Sequence, residues 1–121
     1  MSDDQNAVSF YTINDLPAFS PVEGISMQAI MGEKMMANWV WLEPNTVMPM
    51  HEHPHEQIGA VLKGALELTT PDESQVVEPG GAYVVPGGVP HQGVAGPEGC
   101  LVLDIFSPPR EEYAAQARGE G

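Results

Sequence analysis

The sequence predicts an all-β architecture, a barrel or sandwich of short antiparallel strands. Two observations carry this. Thirteen glycines and twelve prolines are spread along the 121 residues rather than clustered, as expected of strands joined by tight turns. Apolar runs of strand length alternate with Gly, Pro, Asn and Asp punctuation, and no stretch before residue 108 sustains a 3.6-residue period.

Residues 1–20 read as a polar lead-in, with the loop DLPAFSP packing down through Leu16 and Phe19. From Gly24 the pattern becomes strand-like: ISMQAIM, then MMANWVWLEP, which stops at Pro44 and Asn45. IGAVLKGALELTT follows Gln57, and Gly64 within it predicts a bend between two strands. PDES and QVVEPGG supply turns, and AYVVPGGVPH sets a Pro-Gly-Gly corner just before His91. CLVLDIF, apolar on both faces, is predicted to be a central strand. REEYAAQARGEG can form one or two helical turns before fraying. The expectation is one domain over 1–121, with its core at about 24–113 and a flexible tail at 114–121. A chain of this length supports one hydrophobic core.

Charge narrows the function. Four Lys+Arg against 17 Asp+Glu give a net charge of −13. Such a surface repels phosphate backbones and anionic lipid headgroups, so neither nucleic acid nor membrane is an expected partner. The N-terminus, MSDDQNAVSF, has no apolar signal region, and no run of 18 apolar residues occurs, so a cytoplasmic protein is expected. The single cysteine, Cys100, lies in an apolar run and reads as an inert core thiol.

Of the four histidines, three fall in HEHPHEQ, His51 to Gln57. Along an extended strand His51 and His53 project to one side, with Glu52 opposite. Pro54 breaks the ladder, and a turn at this point can return Gln57 beside the imidazoles. His91, after its own Pro-Gly-Gly corner, can close the set from another strand. Two histidines, a residue from the next strand and a distant histidine form a metal-site constellation. The plainer alternative is a solvated loop rich in His, Glu and Pro. His55 and Glu56 fall in the turn with solvent-facing roles, although Glu56 would replace Gln57 if the turn were one residue tighter.

The wider spacing favours the metal site. H-x-H, three residues, Gln57, six residues and Gly64 are followed, after 15 residues, by Gly80, five residues, Pro86-Gly87-Gly88, two residues and His91. These two blocks, over about residues 45–95, resemble the paired signature of the cupin superfamily, small jelly-roll β-barrels that bind a metal inside the barrel. Three positions depart from that pattern. Gln57 replaces the acidic ligand, Asn45 stands at the usual first glycine, and Ala95 takes the final Asn position. The last two are scaffold positions. The first changes the chemistry, because an amide leaves a divalent ion its full charge. That makes the ion a stronger Lewis acid and a better trap for an anionic oxygen ligand, and it disfavours high-valent iron. Nickel, zinc, manganese and iron all tolerate such a shell.

A second constellation is DIFSPPR. Val102, Asp104 and Phe106 share one face of a strand that reads as buried, so Asp104 must be paired or carry a raised pKa. A raised pKa suits a general acid or base, and a hydrogen bond to a neighbouring strand is the structural alternative. Arg110 follows the rigid Pro108-Pro109 pair and can be aimed back at the barrel mouth to hold a carboxylate, or can form a surface salt bridge.

HEHPHEQI together with DIFSPPREEY resembles the small cupins known as pectin degradation proteins, over most of residues 35–113. That family linearises the unsaturated monouronates left by pectin and alginate lyases. The resemblance implies His51, His53, Gln57 and His91 as ligands of a divalent metal ion. It implies Asp104 and Arg110 as the catalytic or substrate-holding pair, with Phe106 lining the pocket. It also implies a small anionic sugar-acid substrate and a homodimer. Two rival readings stand beside it, an iron-dependent oxygenase, against which Gln57 argues, and a non-catalytic binder of metal and sugar acids.

Overall fold

The computed structural model describes residues 7–120. Eight antiparallel strands form one continuous sheet: β1 (Phe19–Val22), β2 (Ile25–Met31), β3 (Met36–Leu42), β4 (Val47–His51), β5 (Glu56–Thr69), β6 (Ser74–Val77), β7 (Ala82–Val85) and β8 (His91–Ser107). One 3-10 turn, Ile13–Asp15, precedes them, and one helix, α1 (Glu111–Ala117), follows. The all-β class expected from turn spacing is the class observed.

β5 and β8, with 14 and 17 residues, form the spine. Each serves two sides of the barrel. The first half of β5 pairs with β7 and with the second half of β8, which continues into β3, β2 and β1. The second half of β5 pairs with β6 and with the first half of β8, which carries β4. The pairing slips in register near Gly64. Gly64 and Gly99 both have positive φ, at 74° and 83°, and a Cβ on Gly64 would strike the Gly99 carbonyl. Only glycine permits two backbones to approach this closely while turning. The bend predicted at Gly64 is therefore real, but it lies within one strand instead of between two. CLVLDIF is likewise the second half of a strand that begins at His91, and its central position follows from its pairing with β3 and β5.

Alternation places the core. β2 turns Ile25, Met27 and Ala29 inward, and β3 turns Met36, Asn38, Val40 and Leu42 inward. They meet Leu66 of β5 and Ala95, Val102 and Phe106 of β8 in one core. Trp39 and Trp41 lie half-buried on the outer face of β3. Cys100 is a free, fully buried thiol. Beyond Tyr113 the chain departs from the expected flexible tail. α1 continues to Ala117, with Tyr113 and Ala114 buried, because the Tyr113 ring packs between Phe19 and Phe106 at centroid distances of 6.2 and 6.1 Å. No helix among the described residues is long and apolar enough to cross a membrane.

Candidate metal centre and its pocket

A pocket opens inside the barrel, lined on its inner walls by Met27, Val40, Leu42, Leu66 and Val102. Its polar lining consists of His51, His91, Gln57, Asn38, Tyr83, Asp104 and Arg110. The two sides of the barrel contribute different parts. His51 and His91 are cross-strand partners on β4 and β8, whereas Gln57, Asp104 and Phe106 come from the other halves of β5 and β8.

His51 is the last residue of β4, so the strand ends before His53. Strand alternation predicts both on one strand. Instead His53 lies in the loop 52–55, and convergence comes from loop geometry. The Gly88 N–H donates to the His53 carbonyl at 2.8 Å, tying the Pro-Gly-Gly corner to this loop. Gly87 packs against Pro54 so closely that a Cβ would collide with the Pro54 carbonyl. The two histidine-bearing segments are thus locked together through backbone.

Each imidazole is oriented the same way. The Nδ1 atoms of His51, His53 and His91 lie 2.8, 3.1 and 2.9 Å from the carbonyl oxygens of Pro49, His55 and Val89. A carbonyl only accepts, so each Nδ1 carries the proton and each Nε2 presents a lone pair. Ligand atoms of the three rings lie within 4.8 Å of one another. The Nε2 of His91 is buried and has no protein partner. The Nε2 of His53 faces Oε1 of Gln57 at 3.2 Å. Burial and the surrounding Arg110 and imidazole charges hold His53 down to about 4, so the ring is neutral at physiological pH. Two acceptors are therefore held face to face. A shared cation removes that conflict and gives the orphaned Nε2 of His91 a partner, so these residues fit a divalent metal ion. The carbonyl of His55 orients His53, and its own ring is half-buried edge-on to His53. Glu56 is exposed, and the inward residue of β5 is Gln57.

Gln57 has a second contact. Its amide also acts on Asp104, pulling the carboxyl's pKa down against the rise that burial imposes, while the amide oxygen faces His53. Asp104 also accepts a hydrogen bond from Tyr83 Oη at 2.9 Å. Asp104 as a residue keeps intermediate exposure, but its carboxyl lies inside the pocket, where desolvation lifts its pKa to about 6 against the lowering pull of Gln57, Tyr83 and Arg110.

Arg110 is 6% exposed. Its guanidinium lies 4.3 Å from the Tyr113 ring centroid and 5.2 Å from that of Phe106. Nη2 and Nε reach the two oxygens of Glu112 at 3.1 and 3.4 Å. The guanidinium holds the Glu112 carboxyl below its ordinary pKa. Phe106 stands edge-on to His53 at 5.6 Å, linking the imidazole cluster to Arg110. The pocket thus joins a cation site, a buried carboxyl poised near neutrality and a carboxylate-binding arginine.

Sequence reasoning missed Tyr83, Asn38 and Glu112. The clue to Tyr83 was Gly59, an isolated glycine in a strand pattern, which marks a close approach. Asn38 is fully buried, giving Nδ2 to the Met27 sulfur at 3.2 Å and leaving Oδ1 without a protein partner. Its clue was one polar residue on the inward phase of ANWVWL.

Comparison with known proteins agrees with this geometry. The cupin domain profile matches residues 38–106. The pectin degradation protein KdgF of Dickeya dadantii is 28% identical over 93 residues, covering 75% of this chain and 84% of that protein. The structure of KdgF from a Halomonas species superposes with a TM-score of 0.81 at 32% identity, covering 87% of this chain and 99% of that one. An RmlC-like cupin from Shewanella frigidimarina also gives a TM-score of 0.81, at 25% identity over 88% of this chain and 96% of its own. With its barrel, its three-histidine cluster and these relatives, the chain belongs to the cupin family, among the KdgF-like pectin degradation cupins.

Proposed function

We propose that this protein is a metal-dependent enzyme that opens and ketonises 4,5-unsaturated monouronates to linear 5-keto sugar acids. The observation that carries the reading is the single pocket uniting the imidazole cluster, Asp104 and Arg110. The resemblance to pectin degradation proteins supplies the substrate class.

The substrate is a ring with a C4–C5 double bond, a C1 hydroxyl and a carboxylate. In a protein of net charge −13, binding an anion requires a local cation. Arg110 supplies one, exchanging its exposed partner Glu112 for the substrate carboxylate. The Phe106 and Tyr113 rings pack against the guanidinium. His51, His53, His91 and Gln57 would hold a divalent ion, which would supply Lewis acidity to the site. Asp104 moves the proton. The C1 hydroxyl loses a proton as the bond from C1 to the ring oxygen breaks, leaving an aldehyde and an enolate at C5. A proton delivered to C4 then converts the enolate to a ketone. No electrons enter or leave, and the net proton count is unchanged. A pKa of about 6 suits a group that must both accept and donate near neutral pH.

The test is direct. Metal-loaded protein is added to fresh lyase products and the vinylic proton signal is followed by NMR. Accelerated loss supports the enzyme. An unchanged rate with perturbed ligand resonances indicates a binder, and oxygen consumption indicates an oxygenase.

A further inference from the structure

Three adjacent strands place Tyr83, Gly59 and Asp104 in one row: Gly59 is the register partner of Tyr83 on β7 and of Asp104 on β8. The side chains of the outer two meet above the glycine, with Tyr83 Oη donating to Asp104 Oδ1 at 2.9 Å. A Cβ on Gly59 would collide with the Tyr83 ring, its hydroxyl and the Asp104 carboxylate oxygen. The glycine is therefore the floor of a slot that only these two side chains fill. A strand-interior glycine forfeits packing and adds backbone entropy to the unfolded chain, so its presence here has a local structural reason.

We propose that Tyr83 is a positioning residue for Asp104, its hydroxyl pinning one carboxylate oxygen so that the carboxyl stays in a fixed orientation toward the pocket. Asp104 is anchored by Tyr83 on β7, and the Gln57 amide on β5 neighbours its carboxyl. Gln57 faces the cation site through its amide oxygen. Tyr83 is independent of the imidazoles and fixes Asp104 against the opposite wall. The Tyr83 hydrogen bond restricts rotation of the carboxyl about χ2, and proton transfer to carbon depends on such fixed positioning. Tyr83 lines the pocket and also the groove beyond β7, so its ring separates Asp104 from solvent on that side. The inference rests on the proposed acid–base role of Asp104.

The experiment uses zinc-loaded full-length protein and compares Tyr83→Phe, Gly59→Ala and Asp104→Asn. Turnover comes from vinylic proton loss, and an activity-independent readout is the Asp104 carboxyl carbon resonance in 13C-aspartate-labelled protein, assigned by its disappearance in Asp104→Asn. For Tyr83→Phe the expected result is a fall in kcat of roughly 10- to 100-fold with KM within about twofold, unchanged zinc content and a displaced Asp104 resonance. Gly59→Ala, where it folds, should reproduce the kcat loss, and the double variant should be no worse than the poorer single one, since both break the same contact. Tyr83→Phe with wild-type kcat and an unmoved resonance overturns the inference, as does a variant that loses zinc or shifts kcat and KM together. If the wild type itself leaves unsaturated uronates untouched, the proposed reaction fails, and the resonance alone decides the Tyr83–Asp104 contact: displaced in Tyr83→Phe, it stands; unmoved, it falls.

Discussion

The two ends of the pocket are built on different principles. The imidazole end is held by backbone, with three carbonyls fixing three Nδ1–H groups and the Gly88 amide clamping the His53 loop. The carboxylate end is held by side chains: Tyr83 positions Asp104, and Phe106, Tyr113 and Glu112 position Arg110. A backbone-held site is hard to alter without removing a ligand. A side-chain-held site can be tuned one substitution at a time. Gln57 and Phe106 reach both ends, Gln57 between His53 and Asp104 and Phe106 between His53 and Arg110.

Removing a ligand should break the comparison most completely. His91→Ala leaves two imidazoles, and metal affinity should fall by more than the roughly 10- to 100-fold typical of losing an outer partner, measured by competition with a chelating dye. A near-normal affinity would mean that His91 is not in the shell.

Asp104→Asn acts on the other end alone. Turnover should drop by about 10²- to 10⁴-fold, the usual worth of a positioned proton-transfer group, with metal content unchanged. Retained turnover would remove Asp104 from the mechanism.

Arg110→Ala should raise KM by roughly 10- to 100-fold with a smaller change in kcat, since it takes away the charge that binds the substrate carboxylate. A kcat effect with constant KM would assign Arg110 to chemistry instead of anchorage.

The smallest effect is a difference in pH response. In metal-free protein His53 sits at about 4, below its ordinary 6.5, so its contribution to stability is present above pH 6.5 and is lost as pH falls through 4. Asp104 runs the opposite way. Its folded value of about 6 exceeds the ordinary 3.8, so its contribution is full below pH 3.8 and lost as pH rises through 6. Chelator-treated Asp104→Asn should therefore lose thermal stability more steeply than wild type between pH 6.5 and 4, because the opposing contribution is gone. Parallel curves would contradict the assigned signs.

What could be read from sequence follows the same division. ISMQAIM reads as a strand and is one, Ile25–Met31, because its alternation is uninterrupted. The HxH spacing and the distant His91 pointed to a shared cation, and the three rings do converge. The long strands β5 and β8 were harder, since Gly64 looks like a terminator locally and proves to be a bend only when Gly99 lies against it. The partners of Asp104 were unreadable for a similar reason. Tyr83 is 21 residues away in the chain and reaches it only through strand pairing. Spacing alone marks Gln57 as a neutral ligand, whereas its place beside Asp104 depends on the pairing of β5 with β8. A glutamate at this position would set two carboxylates against each other, so the amide answers to both neighbours.

The central claim is that three Nε2 lone pairs converge on one ion. X-ray absorption at the metal edge of protein loaded with one equivalent of nickel or zinc tests it most directly. The account predicts scattering from three imidazoles with the remaining ligands oxygen and no sulfur. One or two imidazoles per ion, or a sulfur ligand, would contradict it.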